Sequence, residues 1–207
     1  MSVIPQIPRI YLASRSPRRR ELLTQIGIQF DTLYFRDAPR LDADVDESAY
    51  AGEAAGDYVE RIARAKAEHG RHLIEKRRLP QRLVLAADTT VELSGSIIGK
   101  PVDAADAKDI LRRLSGQTHR VLTCVSVGFE NEVASVTSIS EVRFGELQEV
   151  DIRRYVESGE PMDKAGAYGI QGRAGMFIEH LSGSYSGVMG LPLHETAGLL
   201  RHFGFPV

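Results

Sequence analysis

Residues 14–20 have the sequence Ser-Arg-Ser-Pro-Arg-Arg-Arg, and they lie between an apolar run at 10–13 and a leucine-containing amphipathic pattern. This order predicts a strand, a tight loop and a helix. Ser16 suits the N-cap of that helix, because its hydroxyl can accept an amide hydrogen of the first turn. Pro17 suits the first helical position, where the missing N–H costs nothing.

The predicted start of this helix has the properties of an anion site. Amide hydrogens and the positive end of the helix dipole point out of the first turn. The guanidinium groups of Arg18, Arg19 and Arg20 could bind phosphate oxygens in bidentate fashion. The alternative is an ordinary capped helix with a solvated basic first turn, although positive charge there opposes the helix dipole.

Length and composition narrow the class of protein. The 207 residues suffice for one domain, or two closely packed lobes, with a substantial core. The 26 basic and 28 acidic residues leave a net charge of −2, which gives no general positive field for nucleic acid. The single cysteine, Cys124, excludes an internal disulfide framework and a multi-cysteine zinc site. No apolar run reaches the about 18 residues of a membrane span and no signal-peptide pattern is present, so we expect a cytoplasmic protein.

An acidic residue follows the most apolar run of the chain. Residues 83–87 predict a central strand that is buried on both faces, and we expect it to end at Asp88-Thr89-Thr90. Ligands of open α/β sheets lie beyond the carboxyl ends of the strands. Asp88 is therefore the strongest single candidate for a functional residue, and a turn or capping role is the alternative.

Two lysines are candidates for the same region. Lys66 lies toward the apolar side of a helical pattern at 54–78, where a lysine usually snorkels but can also reach into a cleft. Lys100 follows a predicted hairpin at 91–98, which would bring it beside Asp88. Its Gly-Lys-Pro context does not match a Walker A loop.

Two segments are predicted to be functional loops. The glycine-rich segment 159–175 contains Asp163-Lys164 and could approach a ligand closely. Segment 36–57 is acidic and could hold a hard cation, although a solvated loop is the usual explanation. Its acidic residues are Asp42, Asp44, Asp46, Glu47 and Glu53.

The remaining patterns predict an α/β fold. Alternating apolar residues at 121–129 and 133–144 predict two antiparallel strands joined at 130–131. Shorter strands are predicted at 28–35 and 176–178. Helices are predicted at 104–114, with Asp103 as its cap, and at 149–157 and 192–202.

Together, these residues suggest polyphosphate chemistry. A triphosphate carries a charge of about −4 near neutral pH and requires several cations. A carboxylate such as Asp88 could hold Mg²⁺ or deprotonate an attacking water. No Ser–His or Cys–His pairing indicates a covalent route.

Six motifs occur in order along nearly the whole chain. They are residues 12–19 with Glu21-Leu22-Leu23, Ala87-Asp88-Thr89, Gly99-Lys100-Pro101, 115–119, 163–172 and Gly190-Leu191-Pro192-Leu193. Jointly they resemble the Maf family of nucleoside triphosphate pyrophosphatases.

The resemblance implies a fold and an activity. The expected fold is an elongated mixed twisted sheet flanked by helices, with two lobes and a central cleft, similar to the inosine-triphosphate pyrophosphatases, and one domain spanning residues 1–207. The expected reaction cleaves a nucleoside triphosphate between the α- and β-phosphates, with Mg²⁺ or Mn²⁺ as cofactor. A homodimer is a family-level expectation.

The resemblance also assigns roles by motif. Asp88 would be the proton acceptor that activates water, and Glu47 with Asp88 would hold metal or water. Arg20 is expected to be a surface charge. Phosphate contacts would come from Ser14, Arg19, Lys66 and Lys100.

Three positions separate the branches of this family, and here they are Arg18, Thr89 and Gln171. These residues resemble the branch that acts on dTTP and UTP, and the glutamine amide matches the O4 and N3–H edge of uracil or thymine. A 7-methyl-GTP pyrophosphatase is one alternative. The other is a nucleotide-binding regulator of septum formation. A departure from the family is Gly187, where asparagine is common.

Overall fold

In the computed structural model, which describes residues 8–35 and 45–207, a mixed sheet of seven strands is flanked by helices. The strands are β1 (Arg9–Leu12), β2 (Gln29–Thr32), β3 (Val84–Leu93), β4 (Ser96–Ile98), β5 (Thr118–Phe129), β6 (Glu132–Phe144) and β7 (Ile178–Ser182). The helices are α1 (Pro17–Gln25), α2 (Ala55–Arg77), α3 (Ala104–Leu114), α4 (Glu149–Glu157), α5 (Tyr185–Met189) and α6 (Leu193–His202). Short 3₁₀ turns occupy Glu160–Asp163, Ala165–Ala167 and Arg173–Phe177.

The order of the strands leaves a notch in the sheet. The order is β2-β1-β3-β5-β6-β7, and β1 runs parallel to β2 and β3. β5 pairs with one edge of β3 along its length, whereas β1 pairs with the other edge at Val84 and Leu85 and β4 joins that edge at Val91. Between these points, the described residues place no strand against this edge of β3. The notch therefore opens beside the carboxyl end of β1.

The expectation that the central strand ends at Asp88 is wrong. β3 continues through Asp88 to Leu93, and Asp88 lies opposite Cys124 of β5. The β-branched residues Thr89 and Thr90 favour a strand, and the long β5 supplies their pairing partners. Ligand binding beyond the end of a parallel strand thus applies here to β1, whose last residue, Leu12, pairs with Leu85 near the start of β3.

Alternation along β3 distributes its side chains between the two faces of the sheet. Leu85 and Ala87 pack with α1 and α6, and Val91 packs in a second hydrophobic cluster with α3 and α4. Thr89 lies between these two clusters on the same face. Asp88 lies on the opposite face, which α2 covers. We call the part of the fold around the cluster with α1 and α6 the first lobe, and the part around the cluster with α3 and α4 the second lobe. The polar break between the two clusters marks the cleft between these lobes.

Most of the predicted elements are confirmed. Helices α1 and α3 begin where the sequence predicted. The Ser16 hydroxyl accepts from the Arg19 amide at 3.4 Å, and the Asp103 carboxylate accepts from the Asp106 amide at 2.8 Å. The hairpin of β3 with β4 and the pair β5–β6 are also confirmed. β2 is shorter than predicted. The predicted strand at 176–178 is wrong, because residues 176 and 177 belong to a 3₁₀ turn and β7 starts at Ile178.

Gly70 allows α2 to pack closely on the sheet. A Cβ at this position would lie 2.7 Å from Cγ1 of Val84, a fully buried side chain. We expect Gly70→Ala to destabilise the protein by ~1–2 kcal/mol, because overpacking exceeds the gain in helix propensity. Chemical denaturation measures the change.

The matched control is Gly198→Ala in α6, where an added Cβ meets nothing within 4 Å. We expect this variant to be stabilised by ~0.5–1 kcal/mol. Equal stabilisation of both variants would contradict the packing argument for Gly70.

Candidate active site

A cavity of about 990 Å³ lies at the notch of the sheet, and its size is that of a small-molecule site. The residues that the motifs assigned to the site line it, whereas Arg20 and Glu53 are not among its lining residues. These residues are Ser14, Arg18, Arg19, Glu47, Lys66, Asp88, Thr89, Lys100, Asp163, Lys164 and Gln171.

Lys66 joins the two candidate carboxylates. The ammonium group reaches from α2 and lies 2.8 Å from Oδ1 of Asp88 and 2.7 Å from Oε1 of Glu47. The side chain of Lys66 is only 13% exposed and that of Asp88 only 11%. The apolar-side position of Lys66 on α2 therefore serves the cleft, rather than a snorkelling contact with solvent.

The charges in this group reinforce one another. Burial lowers the pKa of Lys66, but Asp88 and Glu47 more than offset it, so the pKa is raised above its ordinary value. Burial likewise acts to raise the pKa of Glu47, but Lys66, Lys100 and Arg19 bring it below its ordinary value. Lys66 and Glu47 are therefore both charged near neutral pH.

Hydrogen bonds hold the segment that carries Glu47 against α2. Tyr58 donates its hydroxyl hydrogen to the Glu47 carbonyl at 3.0 Å. Arg61 donates to both carboxylate oxygens of Glu53, at 2.6 and 2.7 Å, and to the Ser48 carbonyl at 2.9 Å. Sequence reasoning missed this role of Tyr58 and Arg61, because Tyr58 counted only as an apolar position of the helical pattern and Arg61 as one of its charges. Asp42 and Asp44 of the predicted acidic cluster lie outside the described residues.

Arg19 is held by three protein acceptors. Its Nε donates to the Gly190 carbonyl at 2.7 Å, Nη1 to Ser14 Oγ at 3.3 Å and Nη2 to Thr89 Oγ1 at 3.1 Å. A guanidinium has five N–H donors, so two remain for a ligand. Gly190 adopts φ of 112°, a left-handed conformation that favours glycine.

The Thr89 hydroxyl belongs to a short polar network. It lies 3.0 Å from Thr123 Oγ1, and Thr123 donates to the Gly187 carbonyl at 2.7 Å. Thr89 therefore couples the first turn of α1, through Arg19, to the backbone of α5. Sequence reasoning missed Thr123, because its partnership with Thr89 arises only from the register of β5 on β3.

The glycine-rich segment forms the other wall of the cleft. Arg18 Nη1 lies 3.4 Å from Asp163 Oδ2, and Lys164 Nζ lies 2.6 Å from Asp163 Oδ1. Lys100 and Gln171 are exposed in the cleft. The Gly166 amide donates to the Gly99 carbonyl at 3.0 Å, which ties this wall to the segment that carries Lys100.

Tyr168 lines the cavity and is supported from the core by a histidine. His119 Nε2 lies 2.8 Å from the Tyr168 hydroxyl oxygen. Burial lowers the pKa of His119 to about 4, so the imidazole is neutral near neutral pH. The sequence identified His119 only as part of a motif, and its position beneath the cleft wall could not be predicted from that.

The donor set fits a hard divalent cation. Within residues 8–35 and 45–207, no group of three or more His, Cys, Asp or Glu side chains is placed to hold a metal ion. Glu47 and Asp88, however, already bracket one cation, the Lys66 ammonium. Mg²⁺ is typically bound through one or two carboxylates together with substrate phosphates. These two carboxylates therefore fit an ion shared with a phosphate ligand.

The fold and the site define an α/β protein whose cleft combines cations and carboxylates suited to a phosphate-bearing ligand. The chain matches the family described as Maf-like protein over residues 9–203. It therefore belongs to this family, and the resemblance seen in the motifs is confirmed. Among the described residues, none of the helices combines the length and the apolar character that a membrane span requires.

The chain is similar in sequence to other proteins over nearly its whole length. A "dTTP/UTP pyrophosphatase" of Dechloromonas aromatica is 64% identical over 197 residues, covering 95% of this chain and 98% of that protein. The protein of the same name from Aromatoleum aromaticum is 62% identical over 200 residues, covering 96% and 97%. That of Chromobacterium violaceum is 54% identical over 197 residues, covering 95% and 96%. The solved structure of the Staphylococcus aureus Ham1 protein has a TM-score of 0.45 and 14% identity, and the match covers 94% of this chain and 97% of that one.

Proposed function

We propose that this protein is a nucleoside triphosphate pyrophosphatase that hydrolyses dTTP and UTP, and modified pyrimidine nucleotides, to the monophosphate and pyrophosphate. The observation that carries the proposal is the carboxylate of Asp88, held by Lys66 inside a cleft lined by cations. The similar proteins named dTTP/UTP pyrophosphatase support these substrates. We extend the proposal to one domain over residues 1–207, a cytoplasmic location and a homodimer.

We assign Asp88 as the proton acceptor. The attacking water gives a proton to its carboxylate as the bond between the α- and β-phosphates breaks and pyrophosphate leaves. Lys66 orients the carboxylate by its 2.8 Å contact with Oδ1. The positive charge of Lys66 also compensates the negative charge of the Asp88 carboxylate until that carboxylate accepts the proton.

The cations of the cleft are assigned to the phosphates. A triphosphate of about −4 charge needs several positive partners, and Arg19, Lys66 and Lys100 line one cavity with the Ser14 hydroxyl. Glu47 and Asp88 would hold Mg²⁺ or Mn²⁺. A bound divalent ion supplies Lewis-acid stabilisation of the charge that develops on the phosphate oxygens.

Base selectivity is assigned to Arg18, Thr89 and Gln171. The exposed Gln171 amide offers a donor and an acceptor to a uracil or thymine edge. The Thr89 hydroxyl is already bonded to Arg19, so its contribution acts through the position of that guanidinium. Arg18 reaches the opposite wall of the cleft at Asp163.

A panel of triphosphates tests the proposal directly. We expect kcat/KM for dTTP and UTP to exceed that for dCTP, dGTP and 7-methyl-GTP by roughly tenfold or more, because a site built for one hydrogen-bonding edge rejects others. The readouts are chromatographic detection of the monophosphate and phosphate release after adding an inorganic pyrophosphatase. Preference for 7-methyl-GTP would favour that alternative. Tight nucleotide binding without turnover would favour a nucleotide-binding regulator.

A further inference from the structure

Arg18 and Asp163 come from distant parts of the chain and meet within the cleft. Arg18 lies in the first turn of α1 and Asp163 ends the 3₁₀ turn that follows α4, 145 positions away. The Arg18 side chain is 20% exposed and that of Asp163 is 63% exposed. The carboxylate is thus accessible from the cleft, whereas the guanidinium is mostly enclosed.

The Asp163 carboxylate is itself held by the neighbouring Lys164. Lys164 donates to Asp163 Oδ1 at 2.6 Å and also to the Glu160 carbonyl. One carboxylate oxygen therefore faces Lys164 and the other faces Arg18. Burial acts to raise the pKa of Asp163, but Lys164 and Arg18 lower it below its ordinary value, so the carboxylate stays ionised. Lys164 is a support for Asp163, and not a free cation for phosphate.

The support continues into the core of the second lobe. The Glu160 carboxylate accepts from the Tyr155 hydroxyl at 3.1 Å and from the Arg173 amide at 3.2 Å. Tyr155 is only 1% exposed. The segment that carries Asp163 is therefore held in place by the buried Tyr155 side chain. This contact gives Asp163 the rigidity that a positioning residue requires.

We infer that Asp163 is a specificity-determining residue, which positions the Arg18 guanidinium against the nucleobase. The inference rests on the proposed function and deepens it. An arginine side chain has several rotatable bonds, and holding it in one geometry before the ligand arrives removes that ordering cost from binding. Without the carboxylate, Arg18 is free to turn toward the phosphates, which every nucleotide carries, and base discrimination falls.

The test compares base selectivity in variants of the full chain. For Asp163→Ala we expect the ratio of kcat/KM for dTTP to that for dGTP to fall by about 5- to 20-fold, mainly through KM. We expect kcat for dTTP to stay within about twofold, because Asp88 is held by Lys66 on α2. Asp163→Asn keeps an acceptor without the charge and should give an intermediate ratio.

A double variant separates positioning from a general loosening of the fold. If Asp163 acts through Arg18, Arg18→Gln/Asp163→Ala should have the same selectivity as Arg18→Gln alone. The control is Glu157→Ala, which removes an exposed acid of α4 that pairs with Arg153 at 3.9 Å. We expect the control to leave the ratio unchanged, and thermal unfolding checks that each variant folds.

The outcomes distinguish this inference from the proposed function. A ratio that stays within twofold of wild type in Asp163→Ala, or additive effects in the double variant, would overturn the role of Asp163. Absence of turnover of any triphosphate by the wild-type protein would overturn the proposed function instead. In that case, the ratio of dissociation constants for dTTP and dGTP, measured by calorimetry, still tests Asp163.

Discussion

Asp88→Asn should lower kcat for dTTP by about 10²- to 10⁴-fold, because an amide cannot accept the proton of the attacking water. The substitution keeps the size of the side chain and leaves an oxygen that can accept from Lys66, so the cleft should keep its shape. It also removes a negative charge beside the phosphate site. Without a divalent ion present, we therefore expect dTTP to bind as tightly as in wild type or more tightly. Steady-state kinetics and calorimetry measure the two effects separately.

An Asp-to-Asn substitution outside the cleft provides the control. Asp57→Asn alters an exposed acid in the first turn of α2, and we expect its kcat to match wild type. If Asp88→Asn keeps full activity, Asp88 is not the proton acceptor. If it loses binding as well as turnover even without a divalent ion, the main role of the carboxylate is to hold the substrate. Loss of binding only in the presence of Mg²⁺ would assign the effect to the metal ion that Asp88 and Glu47 would hold.

The parts of the fold that local rules determine could be predicted from the sequence. Ser16 and Pro17 define the start of α1, and Asp103 that of α3, because capping depends on residues within one turn. The alternation of β5 and β6 is likewise local. The motifs also identified the residues that line the cleft, although their roles remain proposals.

Features that depend on contacts distant in sequence could not be predicted. The apolar run before Asp88 ends locally, but pairing with β5 extends β3 to Leu93. The sequence predicted Asp163-Lys164 only as part of a loop near a ligand, and only the fold shows that Lys164 donates to Asp163 and to the Glu160 carbonyl. The attachment of Glu47 to α2 depends on Tyr58, whose hydroxyl reaches a carbonyl 11 residues away.

Lys66→Met should reduce kcat/KM for dTTP by about 10²- to 10³-fold, because it removes a charge placed where the phosphates and the catalytic carboxylate meet. It should also weaken a pH effect. In wild type the pKa of Glu47 is lowered, so Glu47 contributes stability that is present above its unfolded-state pKa and lost as pH falls through the folded-state pKa. Without Lys66, only Lys100 and Arg19 still oppose the effect of burial, so the pKa of Glu47 moves upward. The contribution of Glu47 to stability near neutral pH is then smaller than in wild type.

The thermal midpoint, followed from about pH 4 to about pH 8, measures this change. The difference in Tm between wild type and Lys66→Met should widen as pH rises through the range in which Glu47 ionises. Lys76→Met is the matched control, because Lys76 lies on the same helix but is exposed at its last turn. Its Tm should run parallel to that of wild type. Parallel curves for Lys66→Met would mean that the ammonium does not govern the ionisation of Glu47, and the pairing of the two carboxylates through Lys66 would then have no energetic role.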